Sequence, residues 1–267
     1  DIPPHNLSDV VKASIALIDN PKMTVTDLIE YIPSPDFPTK AEIISSPEEM
    51  LEMYSTGRGS VKLRATYEIE DGEIVITALP YQVSTSKILE QIAAQVETKK
   101  INMIDDLRDE SDEDNPSRII VVPRSNRIDK EALMSHLFAT TDLEKNIRVN
   151  INAIGLNGKP QVFDLKKILK EWLKFRTDTV KRRLQHRLDW VNDRLHILEG
   201  LLIAYLNLDE VIKIIRTHDK PKKELMKKFK LSEIQANAIL DIRLRQLAKL
   251  EEEAILSEKN ELSLEAK

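Results

Sequence analysis

The chain has 267 residues, 41% of them apolar and 32% charged, and its formal net charge is −5. A chain of this length and apolar fraction can bury one or two hydrophobic cores, so the composition excludes wholesale disorder. The chain has no cysteine, which excludes disulfides and thiol chemistry and fits a reducing cytoplasm, and its longest apolar stretch, 201–206, is far too short to cross a bilayer.

The first part of the chain, up to about residue 163, changes its pattern about every ten residues, as a mixed α/β domain does. The spacing of apolar residues predicts helices over 7–18, 25–32, 84–96 and 130–138 and strands over 41–44, 61–69, 73–77 and 118–122. Asp71-Gly72 predicts a hairpin between two of these strands, because both residue types tolerate the positive φ of a tight turn. Asn157-Gly158 predicts a second hairpin.

From Asp164 onward glycine and proline are rare and the apolar period becomes helical, which predicts a domain boundary. Apolar residues recur at intervals of three and four along two stretches. They are Leu184, Leu188, Val191, Leu195, Leu198 and Leu202 on the first, and Leu240, Leu244, Leu247, Leu250 and Ala254 on the second. The pattern predicts two helices of about 30 residues, each roughly 45 Å long, in an antiparallel pair.

The connecting segment from Gly200 to Phe229 begins with a helix that is apolar nearly all round. A small helical knob cannot bury so many apolar side chains by itself, so we expect it to bury them against a second copy of the chain. The sequence therefore predicts a homodimer. The interface residues that we expect are Leu201, Leu202, Tyr205 and Leu208.

Basic residues are concentrated in two places. The segment 166–187 has nine Lys and Arg residues, among them Lys181, Arg182 and Arg183, against two carboxylates. Such a stripe could neutralise phosphates, and it could equally be the solvated face of a coiled coil. A second set surrounds the first predicted hairpin and the strand over 118–122: Arg58, Lys62, Arg64, Arg118, Arg124 and Arg127.

In the second set, Lys62 and Arg64 lie two apart on a strand and so share a face. Arg58 stands between Gly57 and Gly59, which would let the backbone approach a ligand closely. These residues could form a basic binding face, or the ordinary polar face of a half-buried sheet.

Other chemistry-bearing patterns are missing from the sequence. The acidic run 105–114 lacks the ligand spacing and glycine of an EF-hand loop, so we interpret it as a solvated connector in which Arg108 pairs with carboxylates. The five histidines do not have metal-ligand spacing. The sequence contains no Walker-A loop, dinucleotide fingerprint or nucleophile elbow, and its five tyrosines fit packing positions.

Six strings, in order along the whole chain, resemble the A subunits of bacterial type IIA DNA topoisomerases. They are residues 2–7 (IPPHNL), 35–39 (PDFPT), 57–61 (GRGSV), 107–112 (LRDESD), 196–201 (HILEGL) and 235–240 (QANAIL). Residues 122–127 (VPRSNR) and 137–144 (LFATTDLE) are more similar to the topoisomerase IV branch of that family than to its gyrase branch. The link over 220–229 also lacks an insertion that some gyrases carry.

The resemblance implies an α+β architecture with four parts: a mixed α/β tower domain over 1–163, an outgoing coiled-coil helix over 164–199, a helical exit-gate dimerisation domain over 200–231, and a truncated returning coiled-coil helix over 232–267. In this family the tower supports a bent DNA segment and the exit gate releases the transported duplex. The implied activity is ATP-dependent passage of one duplex through a transient double-strand break in another.

The resemblance also implies which residues of this chain bind DNA and which molecules the chain associates with. The DNA-binding residues would be Arg58, Lys62, Arg64, Arg124, Arg127, Lys181, Arg182 and Arg183. Partners would be double-stranded DNA, a second copy of the chain and the topoisomerase IV B subunit, in the bacterial cytoplasm with the nucleoid. No cofactor is expected in this chain, because ATP and Mg²⁺ belong to the B subunit.

In the family the nucleophilic tyrosine and its winged helix precede the Ile-Pro-Pro-His-Asn string with which this chain begins. We therefore expect a piece of a longer protein, with no catalytic residue and no DNA cleavage of its own. Two other interpretations remain: a non-enzymatic coiled-coil dimer that binds DNA architecturally, and a protein-only scaffold that shows no salt-sensitive DNA binding.

Overall fold

A computed structural model gives the fold of the chain and describes residues 1–243 and 249–267. Contacts between residues divide the chain into two compact units, Asp1–Phe175 and Arg176–Lys267. The first unit combines strands with helices, and the regular elements described in the second are helices. The predicted α+β class is thereby confirmed as antiparallel sheets together with one long helix.

Helices of the first unit begin at polar side chains that accept hydrogen bonds from otherwise unpaired backbone N–H groups. The helices are α1 (Leu7–Asp19), α2 (Val25–Ile29), α3 (Pro47–Thr56), α4 (Thr85–Glu97) and α5 (Lys130–Thr140). The capping residues are Asn6, Thr24, Ser46, Ser84 and Asp129. Four of the five helices match predicted ones, and α3 lies where no element was predicted.

The strands of the first unit form three antiparallel sheets. They are β1 (Glu42–Ile43), β2 (Arg58–Arg64), β3 (Thr66–Glu70), β4 (Glu73–Ala78), β5 (Ile104–Asp109), β6 (Ile119–Pro123), β7 (Glu144–Asn150), β8 (Asn152–Ile154) and β9 (Pro160–Val162). Their order is β1-β2-β7 in the first sheet, β3-β4-β6-β5 in the second and β8-β9 in the third. Both predicted hairpin turns are confirmed, with φ of 47° and 87° at Asp71 and Gly72 and 72° at Gly158.

The stretch predicted as one strand over 61–69 is divided between two sheets. Val61 and Leu63 of β2 enter the core formed with α1, α2 and α3, whereas Ala65, the residue between β2 and β3, enters the core of the second sheet. All three side chains are buried. The apolar alternation runs unbroken through Ala65, so the sequence pattern does not mark the division.

The longest helix is α6 (Leu165–Leu206), which has 42 residues. We predicted a boundary at residue 200, but the helix continues through Gly200. A side chain at this position would meet Gln235, because a Cβ built on Gly200 lies 2.7 Å from the Gln235 Cβ. Gly200 therefore marks close packing and not a helix end.

The described residues after α6 form the helices α7 (Leu208–Thr217), α8 (Pro221–Phe229), α9 (Glu233–Leu240) and α10 (Lys249–Glu265). The returning segment was predicted as one helix over 232–267, but α9 ends at Leu240 and residues 241–243 are not helical. Leu244 and Leu247 of the predicted apolar stripe lie outside the described residues. Among the helices that the structure describes, none is long and apolar enough to span a membrane.

Within the second unit α6 and α10 pack in opposite directions. Arg187 and Arg194 each donate two hydrogen bonds to a carboxylate, Glu265 and Glu258 respectively, at 2.7–3.0 Å. Val191, Leu198 and Leu262 form a buried cluster between the same two helices. These residues of α6 and α10 therefore run antiparallel, and the coiled coil of two helices of about 30 residues stays a prediction.

Candidate nucleic-acid interface

The candidate site is the solvent face of the first sheet, carried by β2. Val61 and Leu63 are fully buried on one side of this strand. Since successive strand residues point to opposite faces, Arg58, Ser60, Lys62 and Arg64 lie together on the other side. The first three are exposed and Arg64 is half-buried.

Strand β7 extends this face with residues directly opposite those of β2. Ser60 pairs with Arg148, Lys62 with Asn146 and Arg58 with Asn150. Paired residues of antiparallel strands share a face, so Arg148, which is exposed, joins the basic residues of β2. We call Arg58, Lys62, Arg64 and Arg148 the β2–β7 basic face. Sequence analysis missed Arg148, although the alternating stretch 145–150 could have indicated a strand.

The cations of the β2–β7 basic face differ in their partners. A nitrogen of the Arg64 guanidinium lies 2.6 Å from a Glu144 carboxylate oxygen, and the group stacks over the Phe138 ring at 4.9 Å. The Lys62 ammonium is 3.9 Å from the same carboxylate. Arg58 and Arg148 have no carboxylate within 4.0 Å in the part of the chain that the structure describes. Within the described residues the unpaired positive charges of the face are therefore Arg58 and Arg148, towards the start of β2.

The two glycines beside Arg58 are required by packing within the protein. Gly57 ends α3 with φ 70°, and a Cβ there would lie 2.0 Å from the Phe163 carbonyl oxygen. A Cβ on Gly59 would lie 3.1 Å from Met53. The structure thus gives these glycines a packing role, since they let α3 and the chain after β9 pack against β2. That they also admit a ligand to the backbone stays a prediction.

Arg124 and Arg127, the other predicted first-unit residues, lie on a different part of the unit. They are exposed in the segment between β6 and α5, next to the Asp71-Gly72 turn of the second sheet. Arg118, which directly precedes β6, is paired with Glu70 of β3 at 2.7 Å, and this hydrogen bond lowers the pKa of the Glu70 carboxyl. The structure thus separates the predicted basic set into two places, and two of its arginines, Arg64 and Arg118, are paired with carboxylates.

In the second unit, Lys181, Arg182 and Arg183 are exposed on successive positions of α6. Arg187 of the same stripe is different, because it pairs with Glu265 and lies over the Trp190 ring at 4.4 Å. Exposure suits phosphate contact and a solvated coiled-coil face equally, and Arg187 forms an ion pair across the helix pair while remaining exposed.

The predicted dimer residues divide between the inside and the outside of the second unit. An apolar groove of about 350 Å³ is lined by Ala204, Tyr205, Leu208, Val211, Ile212, Ile215, Arg216, Ile239, Leu240 and Ile242. Tyr205 and Leu208 therefore open onto this groove. Leu201 instead packs against two internal clusters, and Leu202 is half-buried.

The described side chains that could act as a nucleophile or a metal ligand are held in contacts within the protein or lack suitable neighbours. Tyr54 is fully buried, its hydroxyl lies 2.9 Å from the His5 Nε2, and burial raises the pKa of its phenol. Part of the acidic run forms β5, and its Arg108 pairs with Glu73 and Glu110. Among the described residues no cluster of three His, Asp or Glu side chains could hold a metal ion.

Comparison with known proteins gives matches along the whole chain. The family model for the A subunit of DNA gyrase/topoisomerase IV matches residues 1–267. The A subunit of DNA topoisomerase 4 from Pseudomonas aeruginosa is 62% identical over 267 residues, which cover 100% of this chain and 35% of the relative. The corresponding A subunits of Escherichia coli K12 and Haemophilus influenzae are each 59% identical over 99% of this chain, and the matches cover 35% and 36% of the relatives. The chain thus spans about a third of their length.

Proposed function

The chain belongs to the family formed by the A subunits of DNA gyrase and topoisomerase IV, and from this premise we propose that it is part of the DNA breakage-reunion subunit of an ATP-dependent type II DNA topoisomerase of the topoisomerase IV kind. The observation that carries the proposal is the match over the whole chain at 62% identity. It favours this function over a non-enzymatic architectural dimer.

Within that larger protein, the proposed role of this chain is to support DNA and to form a gate. Residues 1–163 would be the tower that carries the bent duplex on the β2–β7 basic face. Residues 164–199 and 232–267 would be the two strands of the coiled coil, and 200–231 the exit gate. The register of Arg187 with Glu265 and Arg194 with Glu258 supports the coiled-coil assignment.

The proposed partners are double-stranded DNA, a second copy of the chain and the topoisomerase IV B subunit, in the cytoplasm with the nucleoid. We assign ATP and Mg²⁺ to the B subunit, where nucleotide hydrolysis would drive the passage of one duplex through another. The residues of this chain would contribute phosphate contacts and a dimer surface. Its exposed lysines and arginines suit that task, since contacts to phosphates position a duplex without reading its sequence.

The test is duplex DNA binding by the whole chain, measured against salt concentration. We expect weak, sequence-independent binding by the wild type. Log affinity is plotted against log salt concentration, and the slope is compared between variants. Replacing Arg58, Lys62 and Arg148 together by Gln should reduce the magnitude of this slope by about two to three units, because each phosphate contact contributes about 0.9. Glu144→Gln should instead strengthen binding and steepen the slope, since it frees Arg64 and Lys62 to contact phosphates.

The matched control removes three positive charges elsewhere in the same unit: Lys12, Lys99 and Lys100, all exposed, changed to Gln. It should change the salt slope by much less than the triple variant of the β2–β7 basic face. Equal effects of the two triple variants would mean that only net charge matters, and the assignment of DNA contact to this face would then be wrong.

A further inference from the structure

A second concentration of lysines lies in the helical unit, on and around α8. The segment 213–230 has eight Lys and Arg residues and two carboxylates. Only part of this charge is compensated in the structure. Lys222 pairs with Glu233 of α9 and Lys228 with Glu210 of α7. These two lysines lie in the first and last turns of α8 and connect it to its neighbours.

The remaining lysines of α8 point away from the core. Leu225 is fully buried and Phe229 packs against the same cluster, which defines the inner side of the helix. Lys223 and Lys227 are four residues apart and so share a face, and both are exposed. Lys220 at the start of the helix and Lys230 at its end are also exposed. We call Lys220, Lys223, Lys227 and Lys230 the α8 lysine face.

None of these four lysines has a carboxylate within 4.0 Å in the described part of the chain. The two carboxylates of the segment do not compensate them: Asp219 is exposed and Glu224 half-buried, and neither forms an ion pair there. Ten residues of mostly helical chain separate the outer two lysines, or about 15 Å. Four unpaired like charges over this distance repel one another, so a polyanion that meets all four is strongly favoured.

We propose that the α8 lysine face is a second contact surface for the phosphate backbone of duplex DNA, separate from the β2–β7 basic face. The inference rests on the proposed function, which supplies a duplex as the polyanion. The face carries lysines without aromatic side chains, so it suits charge neutralisation and not base stacking. A lipid surface fits less well, because Leu225 and Phe229 of α8 are turned into the core and cannot enter a membrane.

The lysine face does not compete with the proposed dimer contact. The apolar groove is lined by residues of α6, α7 and α9 and by Ile242, and by no residue of α8. A dimer closed through the groove would therefore leave these lysines available to DNA. Each dimer would present two copies of the face, one from each chain.

The experiment measures duplex binding by the whole chain at several salt concentrations. One variant replaces Lys220, Lys223 and Lys227 together by Gln. We expect it to reduce the magnitude of the salt slope by about two to three units. The same residues changed to Arg should retain the wild-type slope, because the charge is kept. The control is the triple Lys12, Lys99 and Lys100 variant, which should retain most of the slope.

A second measurement locates the contact directly. Amine-reactive labelling of the wild type should modify Lys223 and Lys227 more slowly when duplex DNA is present, while Lys99 and Lys100 are labelled at an unchanged rate. Polyglutamate at the same charge concentration should protect them less than duplex does. Equal protection by polyglutamate would identify an acidic protein as the partner and overturn the proposal of a DNA contact.

The outcomes separate this inference from the proposed function. If the wild type binds no duplex at low salt, the inference and the DNA-supporting role proposed for this chain are both wrong. A second outcome is that the wild type binds duplex and the β2–β7 triple variant binds more weakly, while the α8 triple variant binds like the control. In that case only the inference is wrong. Loss of binding in the α8 variant alone would support the inference and refute DNA contact by the β2–β7 basic face.

Discussion

His5 connects the start of the chain to the core of the first unit through both of its ring nitrogens. Nδ1 lies 2.8 Å from the Pro3 carbonyl oxygen and Nε2 lies 2.9 Å from the Tyr54 hydroxyl. A carbonyl can only accept, so Nδ1 carries the proton and the Tyr54 hydroxyl donates to Nε2. The neutral ring therefore fits this position, and burial lowers the pKa of His5 in spite of the opposing effects of Pro3 and Asp36.

This arrangement predicts a loss of stability on mild acidification. The pKa of His5 is lower in the folded than in the unfolded chain, so the unfolded state takes up the proton first as pH falls below about 6.5. We expect the melting temperature to fall between about pH 7 and 5 and this dependence to be weaker in His5→Gln. His218→Gln is the control, since His218 is exposed. An unchanged pH profile in His5→Gln would contradict the assignment.

At the scale of elements, two strings that carried the family resemblance turn out to contact each other. Gln235 Nε2 donates to the His196 carbonyl oxygen at 2.8 Å, and the His196 ring lies 2.6 Å from Ser232 Oγ. Ser232 also caps α9 by accepting from the Gln235 backbone N–H. Gly200 supplies the space for the Gln235 side chain. The start of α9 is thereby fixed against α6.

Gly200→Ala tests this contact, because its two expected effects have opposite signs. In an ordinary helix interior the change would stabilise the protein by about 1 kcal/mol. Here the added methyl collides with Gln235, and overpacking of this kind costs about 1–3 kcal/mol. We therefore expect chemical denaturation to show no stabilisation and a net loss of up to about 2 kcal/mol. Arg183→Ala, at an exposed position of α6, should change stability by less than about 0.5 kcal/mol. A more stable Gly200→Ala variant would show that α9 does not pack here.

The sequence predicts elements that have strong local signals and misses those defined by distant partners. Asp71-Gly72 fixes its hairpin because the turn conformation is a property of those two residues. Strand β7 has only a short alternation around Ile147 and Val149, and these residues acquire a buried face only by pairing with β2. For the same reason Arg148 was missed at the candidate site, and Arg64 was counted as available although Glu144, eighty residues away, neutralises it.

At the scale of the whole molecule, the apolar groove of the second unit is the strongest indication of self-association. Ile212 and Ile215 on α7 remain 38% and 40% exposed at its edge. Apolar side chains grouped in this way are typical of an interaction surface. A two-fold dimer would let the same groove meet itself.

Charge introduced into this groove should therefore prevent dimerisation. We expect Tyr205→Glu and Leu208→Glu to give the mass of one chain in light scattering where the wild type gives two, because the interface would bury an unpaired carboxylate. Ile234→Glu is the control, since Ile234 is 60% exposed and outside the groove. Dimers that persist in both groove variants would place the interface elsewhere.

Cleavage activity provides a separate test of the assignment of roles. Mixed with a B subunit, ATP and Mg²⁺, this chain should leave supercoiled plasmid intact, because none of its five tyrosines has the flanking basic residues of an activated nucleophile and its sequence has no phosphate-cradling loop. Gel electrophoresis under denaturing conditions reports the result. Covalent protein–DNA adducts would show that a nucleophile lies within these residues.

The single residue that joins β2 to β3 limits how the length of this chain can vary. Ala65 is the whole connection between a strand of one sheet and a strand of the next, and both strands are held in register on either side. An added or deleted residue anywhere in 58–70 would turn every following side chain of that strand to the opposite face. The exposed segment 112–116 is under no such restriction. Insertions engineered as labels or epitope tags should therefore be accepted at 112–116 and should unfold the protein when placed at Ala65.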